Sequence, residues 1–201
     1  MFPETIETER LRLERLCREN VDPLTLYDHC RIGAPNIEDV TAHVTWTPHE
    51  TPDETAEFIE WAENTWRERQ GAHYVIRPRE GEEGAGSLAG ACGIDIDWDR
   101  QLGEIGVWLL RDYWGRGYGT ERAEALLELA FERLDLACVA IGVSSDNDRS
   151  QAMVSGYVEA FGGRREGVCR NYEHFDSEGG VDVVRYTVLQ EEYHDAVHSR
   201  E

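Results

Sequence analysis

Polar and apolar residues alternate along Thr8-Glu9-Arg10-Leu11-Arg12-Leu13-Glu14-Arg15-Leu16, the period-two signature of a half-buried strand. A polar, helical region follows over roughly 21–44. Asp22-Pro23 opens it with proline at the first helical position, and Ile32-Gly33-Ala34-Pro35 breaks it. A second helix is predicted over 52–69. Thr51, Pro52 and Glu54 match a capping box, and Ala56, Phe58, Ile59, Ala62 and Trp66 supply the apolar face. Trp66 reads as core packing. Three strands with short connections, over 72–77, 87–97 and 103–110, predict an antiparallel meander.

Past the third strand the period changes to 3.6. Ala123, Leu126, Leu127, Ala130, Phe131 and Leu134 fall at i, i+3, i+4, i+7, i+8 and i+11, one buried helix face, with Glu124, Glu128, Glu132 and Arg133 largely off it. Residues 137–143 form a nearly continuous apolar run, as a strand buried on both faces would. Ser144-Ser145-Asp146-Asn147 caps a helix over 148–161, which Gly162-Gly163 ends. Two last strands, 165–175 and 181–189, flank a hairpin loop from Asp176 to Gly180. Residues 190–201 are polar and expected to fray.

The 201 residues suffice for a single domain, 1–201, with a sizeable core. No apolar run approaches the roughly 18 residues of a membrane span. Met1-Phe2-Pro3-Glu4-Thr5 lacks a signal-peptide pattern, so a cytoplasmic protein without membrane partners is expected. The cysteines at 17, 30, 92, 138 and 169 form no C-x-x-C pair and read as free, mostly buried thiols. The histidines show no ligand spacing, so no metal is expected. Charge changes the picture more. Against 20 basic residues stand 41 acidic ones, for a net charge of −21, and the acids are dispersed along the chain. Self-repulsion on this scale disfavours the compact state until salt screens it. The dispersion points to a halophilic protein solvated for a high-salt cytosol. The competing reading is selection of a cationic substrate. With no basic stripe, nucleic-acid binding is disfavoured.

The candidate chemistry lies between strand and helix, in Tyr113-Trp114-Gly115-Arg116-Gly117-Tyr118-Gly119-Thr120-Glu121. Glycines let the main chain approach a ligand, and a helix N-terminus offers unpaired N–H groups and positive dipole charge, a cradle for phosphate. The spacing is not the dinucleotide G-x-G-x-x-G, and without any lysine it is not a Walker loop. It resembles instead the acetyl-coenzyme A loop of the GNAT N-acetyltransferases. Trp114 and the opening Thr8-Glu9-Arg10-Leu11-Arg12-Leu13 resemble the Rim-type branch, which acetylates protein N-termini.

The resemblance implies the GNAT fold, an α/β (α+β) arrangement with a mixed, mostly antiparallel central sheet flanked by helices. It implies acetyl-CoA as co-substrate. Trp108, Leu109 and Leu110 would pair with the pantetheine arm; Arg116, Gly117, Tyr118, Gly119 and Thr120 would cradle the pyrophosphate; Asn147 and Ser150 match N-x-x-[SA]. Glu104, on one strand face with Gly106 and Trp108, is the candidate general base. The position where many members carry a tyrosine acid, seven after Asn147, is Val154; Tyr157 is the candidate replacement, and departure with no dedicated acid is the alternative. Trp46, His49 and Asp182 are candidates for the acceptor groove. The acceptor is an amine, a protein N-terminus or a small amine, attacked directly in a ternary complex. A non-catalytic acyl-CoA sensor and a nucleotide-binding regulator are the rivals, and a homodimer through the sheet edges is one possible assembly. Because screening should relieve the self-repulsion, the calorimetric unfolding midpoint is expected to rise as KCl increases from millimolar to molar; a flat response would contradict the solvation reading.

Overall fold

The computed structural model describes residues 1–175 and 179–199. Its strands are β1 (Thr5–Glu7), β2 (Leu11–Arg15), β3 (Gly71–Pro78), β4 (Gly90–Asp97), β5 (Leu102–Leu109), β6 (Cys138–Ser144), β7 (Arg164–Phe175) and β8 (Gly179–Leu189). They form one sheet in the order β1-β2-β3-β4-β5-β6-β8-β7. Every neighbouring pair is antiparallel except β5 and β6. The helices are α1 (Pro23–Cys30), α2 (Ile37–Thr41), α3 (Pro52–Arg67), α4 (Tyr118–Glu128), α5 (Asp148–Ala160) and α6 (Gln190–His198). This is the mixed, mostly antiparallel α/β arrangement that the resemblance implies.

The sheet separates two apolar layers. One holds Leu11, Leu13, Tyr74, Ile76, Ile94 and Ile105 against Ala123, Leu126, Leu127 and Ala130 of the segment that begins with α4, and Val154 and Val158 of α5. The other packs Val75 and Leu88 under Leu26, Cys30, Ile59 and Ala62 of α1 and α3. The six-residue stripe predicted after the glycine loop is buried throughout. It ends in a π-helical turn, Leu129–Arg133, where the Leu134 N–H reaches back to the Leu129 carbonyl at 3.1 Å. Trp66 sits at the margin of the first layer, edge-on to Phe2 and Tyr74 at 5.2 and 5.6 Å.

Helix starts follow the sequence in part. The Asp22 carboxylate accepts from the Thr25 N–H and hydroxyl, both at 2.9 Å, and these bonds hold its pKa below the usual value. The box at Thr51 does not close as predicted. The Thr51 hydroxyl instead donates to Glu54 at 3.3 Å, and Glu54 also accepts from the Glu50 N–H at 3.0 Å. A carboxylate is a stronger acceptor than a hydroxyl, so the side chains pair with each other.

Two further expectations change. The first strand is a hairpin, with Thr8-Glu9-Arg10 turning between β1 and β2. The tail does not fray over 190–198: α6 docks Tyr193 between Phe131 and Phe161, at ring distances of 5.0 and 5.3 Å. Glu191 and Glu192 in its first turn oppose the helix dipole, and Glu192 accepts from the Leu189 N–H at 2.9 Å. Of the predicted hairpin loop, Asp176, Ser177 and Glu178 lie outside the described residues, as do Arg200 and Glu201 of the tail. Truncating the docked ring, Tyr193→Ala, is expected to destabilise the fold by about 3 kcal/mol in urea titration; a loss below ~0.5 kcal/mol, the scale of a surface substitution, would mean α6 contributes nothing to the core.

Candidate active site

Strands β5 and β6 pair only at Leu102–Cys138, Gly103–Val139 and Glu104–Ala140. Beyond that β5 follows β4 to Leu109, while β6 follows β8 to Ser144. The two part, and a cavity of about 700 Å³ opens between residues 105–109 and 141–144, closed by the start of α4 and the first turns of α5. Hydrogen-bond parity decides which main-chain groups face it. The Leu110 N–H donates to the Ala89 carbonyl at 2.9 Å. By the alternation of an antiparallel ladder, Trp108 and Gly106 then direct their groups to β4, and Val107 and Leu109 direct theirs into the gap. Ser145 donating to the Asp182 carbonyl at 2.8 Å sets the same parity on β6, so Gly142 and Ser144 face the gap from the other side. Trp114 Nε1 occupies the Leu109 carbonyl at 2.8 Å. Of Trp108, Leu109 and Leu110, only Leu109 therefore presents backbone to a ligand. Trp108 contributes its side chain, and the Leu110 N–H is committed to the sheet.

The glycine loop forms the mouth. Gly117 caps α4 with φ +82, a conformation that favours glycine. A Cβ on Gly119 would lie 2.3 Å from Met153 Sδ, so the absent side chain lets α4 and α5 meet. The loop is braced from behind. Glu121 accepts from the Thr8 hydroxyl at 2.6 Å and from the Arg10 N–H and Nε at 2.7 and 2.8 Å, while Arg10 Nη1 donates to the Arg116 carbonyl at 2.8 Å. Burial pushes the Glu121 carboxyl up, but these hydrogen bonds and the Arg10 charge outweigh it and hold the pKa low. Gly117, Tyr118, Gly119 and Thr120 line the cavity with Asn147 and Ser150. Arg116 does not; it turns to Glu83 at 3.0 Å. The cation at the mouth is Arg149, stacked on Trp114 at 4.5 Å. Arg149 falls at an unspecified position of N-x-x-S, so the motif does not single it out. The Asn147 side chain accepts from the Ser150 N–H at 3.0 Å, so it is both helix cap and cavity wall.

On the opposite face of the sheet, Glu104 is half exposed and paired with Arg185 at 3.0 Å. The pair crosses β6, where Ala140 lies beside Glu104 and Gly142 beside Arg185. Glu104 itself is not in the cavity wall. A Cβ on Gly106 would meet nothing within 4 Å, so open space separates Glu104 from Trp108 along that face. Glu173, which the sequence did not single out, joins this group: burial, then the Glu104 charge, pushes its carboxyl up. Trp46 packs edge-on to Trp108 at 5.4 Å and lies 5.8 Å from His49, so these groove candidates do come together. His49 Nδ1 contacts the Thr55 hydroxyl at 2.7 Å, and burial lowers its pKa. Asp182 stands apart; its carboxylate accepts from the N–H of Asn171, a residue at φ +52 beside the β7 bulge. Val154 lines the cavity, whereas Tyr157 is buried in the core with its hydroxyl beside the Arg122 guanidinium, and burial raises its pKa. Among the described residues no cluster of His, Cys, Asp and Glu is placed to hold a metal.

Residues 10–155 match the family model described as acetyltransferase (GNAT) domain. The chain is 27% identical over 191 residues to the "Uncharacterized N-acetyltransferase p20" of Bacillus licheniformis, covering 94% of this chain and 98% of that one. YdaF of Bacillus subtilis (strain 168), provisionally named a ribosomal N-acetyltransferase, is 32% identical over 111 residues, 54% of this chain and 57% of its own. The structure of the Microcin C7 self immunity acetyltransferase MccE in complex with acetyl-CoA and AMP superposes with a TM-score of 0.77 at 18% identity, over 94% and 97% of the two chains. If the glycine mouth is a pyrophosphate cradle, calorimetric titration of acetyl-CoA in multimolar KCl gives micromolar binding that Gly117→Glu abolishes through bulk, backbone strain and like charge. Equal binding by the variant would move the ligand elsewhere.

Proposed function

The chain belongs to the GNAT acetyltransferase family and is an acetyl-CoA-dependent N-acetyltransferase, and on that premise we propose that it transfers the acetyl group to a protein or peptide α-amino group by direct attack in a ternary complex. The observation that carries this reading is the parting of β5 and β6 beside the glycine loop. Acetyl-CoA supplies the acyl group already activated as a thioester. The free N–H groups of Val107 and Leu109 bind its extended arm as a strand edge binds a peptide, with Val107 N–H at the thioester oxygen. The amides of the loop and the Arg149 guanidinium hold the phosphates.

The acceptor amine enters from the other face, over Gly106, between Glu104 and the aromatic wall of Trp108, Trp46 and His49. Glu104, fixed by Arg185, takes the ammonium proton through a water. Glu173 stands near as a second carboxylate, its carboxyl pushed up by burial and then by the Glu104 charge. No cysteine competes as nucleophile: Cys92, beside Val107 in the ladder, is buried and its thiol is pushed up to about 12. The likeness of half the chain to YdaF supports a protein acceptor over a small amine.

A general base works only when ionised. The rate is therefore expected to fall toward acid pH. Glu104→Gln should lower kcat about 10²-fold with the KM for acetyl-CoA unchanged. Screening should be run on peptides differing in their first residue, beside a panel of polyamines and amino acids. Turnover of the small amines alone would overturn the acceptor, and full activity in Glu104→Gln would overturn the base.

A further inference from the structure

Among the described residues, Arg122 is the one buried arginine, and it has no anion opposite. Arg122, in the first turns of α4, is 1% exposed, and among the described residues no carboxylate lies within ion-pair distance of it. Its Nε has no hydrogen-bond partner. Its Nη1 touches only the outer range of a bond to the Gly106 carbonyl, at 3.5 Å. Arg122 lines the cavity with Gly106 and Val107 of β5, Ile141 of β6 and Val154 of α5. Tyr157 is itself buried and neutral; the Arg122 guanidinium reaches its hydroxyl and favours its phenolate, and Cys92 feels the same charge. Removing a guanidinium from water with no anion opposite costs several kcal/mol. A fold retains such a group where an anion arises during its work.

We propose that Arg122 is a catalytic residue whose guanidinium stabilises the coenzyme A thiolate as it departs. The inference rests on the acetyl-CoA reading of the cavity. As the amine nitrogen bonds to the acyl carbon, the C–S bond breaks and sulfur leaves with the electron pair; the ammonium proton goes toward Glu104. The negative charge then sits on sulfur at the inner end of the cavity. Val154 in that wall is aliphatic, and Tyr157 is not part of it but lies behind Arg122. Arg122 is the one buried cation in that wall among the described residues. A permanent cation needs no proton of its own to give, since arginine stays charged at working pH. The thiolate picks up its proton from solvent as the product leaves.

The test reads the thiol directly. Coenzyme A bound to the wild type is titrated by thiolate absorbance beside Arg122→Met and Arg122→Lys, with calorimetry confirming that each is loaded. The bound thiol of the wild type is expected to ionise at least one pH unit below free coenzyme A, Arg122→Lys to keep part of the shift, and Arg122→Met to lose it. In turnover, Arg122→Met should lose kcat about 10²-fold with the KM for acetyl-CoA little changed. Should Arg122→Met not fold, the comparison of wild-type-bound with free coenzyme A still decides the matter. Coenzyme A that binds with an unshifted thiol overturns the role of Arg122 and leaves the acetyltransferase reading intact; no binding by folded wild type overturns that reading itself. A wild-type preference for succinyl over acetyl donor that Arg122→Met reverses would show the cation holding an acyl carboxylate, and would also overturn the proposal.

Discussion

Strands β5 and β6 run parallel for three residue pairs and then diverge, each held by an antiparallel neighbour that continues alongside it. Unpaired main-chain groups inside a protein are unfavourable, and here they face a cavity that the fold itself opens. The rest of the site is arranged around that gap. The glycine loop closes one end because α4 must cross from β5 to the parallel β6. The close approach of Gly119 to Met153 brings α5 against the same opening. The Arg10–Glu121 brace holds the loop from the hairpin of β1 and β2, so the outer strands of the sheet support the geometry at its centre.

Electrostatics divide the site along the plane of the sheet. In a chain of net charge −21, the cations near the gap are placed individually. Arg149 lies at the mouth, Arg122 in the wall, and Arg185 across the sheet with Glu104. The acids Glu104 and Glu173 stand together away from the glycine mouth. An incoming ammonium therefore meets negative charge, and phosphate meets positive charge, although the protein as a whole repels anions.

The fold was largely legible from periodicity. The alternation at Leu11 and Leu13 and the stripe from Ala123 to Leu134 placed strand and helix where they are found, because each side of those elements has a single environment. The loop was legible because only glycine suits its main chain. Three features were not. Arg122 looks like a solvated helix residue, yet Ala125, Leu126 and Leu129 stand three, four and seven places after it, and that spacing marks its position as buried. Tyr193 is one aromatic in a polar tail, with only Val197 to complete a stripe, too short a pattern to separate a docked helix from a frayed end. The parity of β5, which exposes Val107 and Leu109 to the gap, depends on pairing with β4, which no local pattern encodes. Glu104 was found by alternation, but its partner Arg185 lies 81 residues away and across a strand.

The same three pairs have a mechanical meaning. They are the direct strand-to-strand ladder between a half-sheet of β1 to β5 and one of β6 to β8, and helix packing carries the remainder of the junction. A ligand whose extended arm bonds to Val107 and Gly142 would act as a splint set along that fracture line. Its binding free energy would then add to the cohesion of the whole sheet. Rigidity would then be conditional in part on fuel: with donor bound the seam is closed along its length, and without it three residue pairs and the shared apolar core hold the two half-sheets together.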